Sequence, residues 1–104
     1  MTEDTLDPAE VSAAVVTWIG RRDSPWPLHD DAGVVAQFGV DRAQSLLSAV
    51  RSWEAEFDRS NAWHSERDLG TAGKVAAAEF QRLHPESTKH AVDALAWAYM
   101  YNAR

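Results

Sequence analysis

The sequence predicts an all-α fold, a compact bundle of about five helices around a buried apolar C-terminal helix. Three observations carry that expectation. Apolar residues recur at three- and four-residue spacing in separate stretches of the chain. Cap residues, glycines and prolines bracket those stretches. The last stretch is apolar around its whole axis, as suits a helix enclosed by others. Few β-branched runs alternate with period two, so no strand is expected.

The first helix is expected over Pro8–Ile19. Asp7 is an N-cap, Pro8 suits the first helical position, and Glu10 stands three residues after the cap, as in a capping box. Leu6 and Val11 occupy hydrophobic-staple positions. Val11, Ala14, Val15, Trp18 and Ile19 make one apolar face, and Gly20 ends the helix. Arg21 to Leu28 contains Pro25 and Pro27, which forbid helix there. A short second helix spans about Asp30 to Phe38, stopped by Gly39.

The third helix is capped by Asp41, with Gln44 as its three-residue partner. Ala43, Leu46, Leu47, Val50, Trp53 and Phe57 form a stripe, while Arg51 and Glu54 are spaced to pair at i, i+3. Arg59 to His64 is polar and reads as a loop. Ser65 and Asp68 repeat the capping-box spacing, so a fourth helix is expected to begin near Glu66. It carries Leu69, Ala72, Val75 or Ala76, Phe80 and Leu83 inward and stops at Pro85. Gly70 and Gly73 each cost a helix interior about 1 kcal/mol relative to Ala, unless they let a neighbouring helix approach closely. Ser87 caps a fifth helix from Thr88 to about Asn102, the expected hub of the bundle. Residues 1–6 are expected to form a flexible tail and 7–104 a single helical domain. Trp18, Trp53, Phe57, Phe80, Leu95 and Tyr99 are the expected heavy contributors to its core.

Composition narrows the function classes. The 104 residues are 45% hydrophobic and 25% charged, which is globular and excludes a disordered chain. Cysteine is absent, which excludes a disulfide scaffold, a cysteine-ligated zinc and a thiol nucleophile. Sixteen acidic against ten basic residues give a net charge of -6, opposite in sign to a phosphate-binding surface, so a nucleic-acid partner is not expected. The start of the chain, with Glu3, Asp4 and Asp7, lacks the basic and apolar pattern of a signal peptide. The longest apolar run, Ala94 to Tyr101, is shorter than the ~18 residues of a membrane span. A cytoplasmic protein without a membrane partner is the expectation. Frequent alanine, arginine in excess of lysine, and Ile19 as the single isoleucine suggest a GC-rich bacterial or phage origin.

Val35-Ala36-Gln37-Phe38-Gly39-Val40-Asp41-Arg42 resembles the turn of winged-helix repressors of the GntR type, in which a recognition helix follows the glycine. That resemblance implies a DNA-reading regulator. The chain departs from the pattern after the glycine: Ser45, Ser48 and Ala49 stand where that family has apolar residues, and Leu46 and Leu47 are shifted by one. A one-residue shift turns the buried face by about 100°. The helix also carries Glu54, Glu56 and Asp58 and few bases. A tight helix–helix corner accounts for the same residues.

His29-Asp30-Asp31 and His64-Ser65-Glu66 are the richest potential ligand sets, but neither offers two histidines four apart on a helix. No metal and no cofactor is expected. Nucleophile-elbow, P-loop and dinucleotide-binding patterns are absent as well. Trp26 and Trp63 fall in expected loops beside Pro27 and His64, and exposed tryptophans are typical binding anchors. The expected contact surface combines Trp26, His29, Trp63 and His64 with the acidic Asp30, Asp31, Glu54 and Asp58. On this reading the chain is a small acidic interaction module that binds a basic protein, as inhibitor, immunity and antitoxin proteins do. The alternative is a small-molecule-binding protein or enzyme, with His29, His64, Trp97 and Tyr101 around a pocket near the Trp26 and Trp63 loops.

Overall fold

The computed structural model describes residues 6–20, 25–60 and 68–102. Five helices account for most of them: α1 (Pro8–Ile19), α2 (Asp31–Phe38), α3 (Val40–Asp58), α4 (Leu69–Leu83) and α5 (Lys89–Asn102). No strand occurs among the described residues. The fold is the expected all-α bundle. Of the expected tail, only Leu6 is described, and it rests half-buried against the core.

The local signals at α1 operate as read. An Asp7 side-chain oxygen accepts from the Ala9 amide at 3.0 Å, and Gly20 closes the helix at φ 72°, donating its amide to the Val16 carbonyl. Glu10, at the capping-box position, reaches across to an ion pair with Arg42 of α3. Asp30 caps α2 by accepting from the Gly33 amide at 3.0 Å.

Three caps differ from expectation. Gly39 alone separates α2 from α3, and its carbonyl already accepts the Ala43 amide at 2.9 Å. The helix therefore begins at Val40, and Asp41 lies inside the first turn without capping it. Its carboxylate still sits at the favourable positive end of the helix dipole. α4 begins at Leu69, later than Glu66, because Asp68 is itself the cap and holds both the Thr71 amide and its hydroxyl at 3.1 Å. At α5 the capping oxygen belongs to Thr88, which accepts from the Ala91 amide at 3.2 Å. Ser87, the expected cap, is buried and donates its hydroxyl to the His84 carbonyl at 2.7 Å.

α5 is the hub. It packs against α1, α3 and α4, while α2 rests on α1 and α3. Ala91, Val92, Ala94, Leu95, Ala98 and Tyr99 are buried, and Lys89, His90, Asp93 and Tyr101 mark its exposed edge. The glycines of α4 bear on this seam: a Cβ on Gly73 would fall 2.7 Å from Met100 Sδ, so Gly73 is where α5 side chains lie directly on the α4 backbone. The aromatic part of the core joins α3, α4 and α5. Phe57 lies 5.5 Å from both Phe80 and Tyr99, and Trp53 lies 5.4 Å from Phe80. Each such side chain contributes roughly 1.5–3 kcal/mol on burial.

The inward stripe of α4 holds for Ala72, Ala76 and Phe80 but not for Leu83, which is 69% exposed. Beyond Phe80 the contact with α3 is made by His84, whose ring lies 4.6 Å from Phe80 and 5.0 Å from Trp53. With that place filled, Leu83 faces outward.

Gly39 adopts φ 90° and ψ 156°, a region essentially restricted to glycine. A Cβ there would meet nothing within 4 Å, so the constraint is backbone conformation alone. Gly39→Ala is expected to lower the unfolding free energy by about 1–3 kcal/mol in urea titrations. An unchanged midpoint would mean that the corner tolerates another conformation.

Candidate functional site

The proline-containing segment from Pro25 to Asp30 runs back along the end of α1 as a strap. The Leu28 amide donates to the Ile19 carbonyl and the Asp30 amide to the Trp18 carbonyl, each at 2.8 Å. Trp26 lies on this strap with 54% of its surface exposed. His29, three residues on, lays its ring over the Trp18 indole at 4.1 Å and 5°. Its Nε2 meets Glu54 Oε2 of α3 at 3.0 Å. The strap is thus pinned to α1 by backbone bonds and to α3 by one side chain.

Asp31, in the first turn of α2, does two jobs. Oδ1 accepts from Trp18 Nε1 at 2.8 Å, and Oδ2 accepts from Arg51 Nη2 at 2.6 Å. Trp18 is 2% exposed, so Asp31 satisfies a donor that water cannot reach. The expected Arg51–Glu54 pair does not form. Arg51 turns to Asp31 and Glu54 to His29, because α2 and the strap supply partners across the helix crossing.

Asp58 ends α3 one turn beyond Glu54. Partial burial pushes its carboxyl above the ordinary value of 3.8, and the neighbouring Glu54 charge pushes in the same direction, while His29 opposes both. His29, Asp31, Glu54 and Asp58 lie in one region, but they differ in availability. Asp30 is used as a cap, and Asp31 is paired with Arg51. Glu54 and Asp58 carry the remaining negative charge, shared with an imidazole that is itself 60% exposed. Trp63 and His64 lie outside the described residues. Trp18 and Arg51 were not among the expected site residues. A tryptophan on an apolar helix face reads as core, and only its donor-only N–H hints that a buried indole needs an acceptor.

The remaining expectations can be placed. Trp97 lines a groove of about 380 Å3 between α4 and α5, with Gly70, Gly73 and Met100. His29 does not line it. No group of three or more His, Cys, Asp or Glu among the described residues is arranged to hold a metal ion. No described helix is long and apolar enough to cross a membrane. Both arginines within α3 are engaged with carboxylates, Arg42 with Glu10 and Arg51 with Asp31.

Two substitutions separate the structural from the available charges. Asp31→Ala leaves the Trp18 N–H buried without an acceptor and is expected to cost about 1–3 kcal/mol, whereas Asp31→Asn keeps a carbonyl acceptor and costs less. Equal losses in chemical denaturation would discount the indole bond. Asp58 behaves oppositely. A carboxyl with a raised pKa opposes folding once it ionises, so its penalty is absent well below pH 3.8 and grows as pH rises toward the raised value. Asp58→Asn should therefore raise the Tm at pH 7, with the gain vanishing below about pH 3.8. A gain that persists in acid would point to a cause other than charge.

The chain matches no family model, and searches of curated proteins and of solved structures likewise find no match.

Proposed function

We propose that the protein is a non-enzymatic interaction module that binds a basic protein partner through the strap face, in the manner of inhibitor, immunity or antitoxin proteins. The observation that carries this reading is the exposed Trp26 on a strap tied down beside Glu54 and Asp58. Three residues of chain keep the Cα of Trp26 within ~11 Å of that of His29. A large exposed aromatic side chain on the same short segment as the histidine that meets Glu54 has the composition of a binding hot spot with a polar rim. Backbone bonds at Leu28 and Asp30 already hold the strap, so little ordering remains for a partner to impose. A net charge of -6 favours a cationic partner by long-range attraction, chiefly through the association rate.

The test uses the full chain as bait in extracts of its own cells, followed by binding kinetics with the captured protein. Trp26→Ala is expected to weaken binding by about 30-fold, as a hot spot would, with the chain still folded. Glu54→Gln with Asp58→Asn should lower the association rate and flatten its salt dependence. The reading fails if Trp26→Ala binds normally and instead loses several degrees of Tm, because the indole then serves the fold. It fails equally if binding survives without salt dependence.

A further inference from the structure

We propose that the face of Trp18 and the carboxylate of Glu54 form a subsite for an arginine side chain, which the chain's own His29 fills in the unbound state. Its use by a partner rests on the strap-face function, for which it names the group that a basic protein would insert. The His29 imidazole lies parallel to the indole, at 4.1 Å and 5°, and its Nε2 meets Glu54 Oε2 at 3.0 Å. A flat nitrogen group over an aromatic face, with a carboxylate at one nitrogen, is also how a guanidinium is held. An ammonium has no plane to stack, so the geometry selects arginine over lysine.

The charges ask for more than an imidazole. Glu54 is 17% exposed, and its ion-pair partner among the described residues is His29. Arg51, on the same helix, is taken by Asp31. One turn beyond Glu54, burial and then the Glu54 charge push the Asp58 carboxyl above its ordinary value. A guanidinium brings a full positive charge to this place at any working pH. The imidazole can leave without disturbing the strap. The amides on either side of it, those of Leu28 and Asp30, are bonded to the carbonyls of Ile19 and Trp18, so rotation of the side chain suffices. That side chain is 60% exposed and has solvent to turn into. His84 makes the contrasting contact. It also meets a glutamate of α3, Glu56, but at 23% exposure and with its ring against both Phe80 and Trp53, as a part of the core.

The test is an NMR titration of the full chain with acetyl-arginine amide, read at the Trp18 Nε1–H and the Glu54 amide, beside acetyl-lysine amide. His29→Ala opens the subsite, and it is expected to bind the arginine compound roughly fivefold more tightly than the wild type, whose open state is only partly populated. The same variant should prefer arginine over lysine by roughly fivefold, and adding Glu54→Gln should abolish the response. The wild-type chain should show the same shifts at higher concentration, so the subsite is tested even if the variant does not fold. Equal response to the two compounds would overturn the proposal. So would His29→Ala binding no better than the wild type, or a wild type that does not respond beside an unfolded variant, since His29 is then a structural residue. If these titrations fail while Trp26→Ala still weakens the captured partner, the subsite is lost and the strap-face function stands. If they succeed while Trp26→Ala binds its partner normally, the function fails and the arginine subsite remains.

Discussion

A buried indole has one N–H and no means of hiding it. Trp18 is sunk at the meeting of α1, the strap and α2, and the acceptor for its N–H is Asp31. Much of the architecture on that side follows from this bond. Asp31 stands in the first turn of α2, where it meets the indole. Asp30 is then placed to cap the helix, and its own amide returns to the Trp18 carbonyl. The second oxygen of Asp31 remains available and draws Arg51 from α3. One carboxylate thereby links three helices, at less desolvation cost than a fully buried charge because the Arg51 side remains wet.

The other side of the bundle is held by apolar contact and by polar groups at helix ends. α5 packs against three helices, and the amide of Thr88, the cap residue just before it, is taken by the buried hydroxyl of Ser12 in α1 at 3.0 Å. Toward its other end the Tyr99 hydroxyl donates to the Ser60 carbonyl at 3.3 Å, just beyond α3. No buried side-chain nitrogen or oxygen among the described residues lacks a partner. The apolar hub is thus compatible with polar residues because each of them finishes a backbone turn that water cannot reach.

This division bears on what the surface can do. Acidic residues are numerous, but several are committed to the fold: Asp7, Asp30 and Asp68 are caps, Asp31 serves Trp18 and Arg51, and Glu10 holds Arg42. Among the described residues, charge free to attract a partner is therefore sparser than the acidic count implies. Among the described residues, Asp58 near the strap and Glu79 on α4 are carboxylates that no cap or ion pair takes up. Trp26 and Leu83 are among the large apolar side chains left exposed.

The all-α class, the bounds of α1, the corner at Gly39 and the enclosed last helix were legible in the sequence itself, because caps, glycine breaks and apolar periodicity act within a turn or two of backbone. Local signals misled where two competed: Ser87 and Thr88 both suit a cap, and the one with a hydroxyl free to meet the Ala91 amide prevailed. Leu83 obeyed its stripe in spacing but not in burial, since His84 occupied the neighbouring space. The pairings that shape the strap face join residues 13, 20 and 25 positions apart, Trp18 with Asp31, Arg51 with Asp31, and His29 with Glu54. Periodicity cannot choose among such partners. Only the packing of α1, α2 and α3 against one another decides which side chains lie within hydrogen-bond reach, and so which carboxylates build the fold and which face outward.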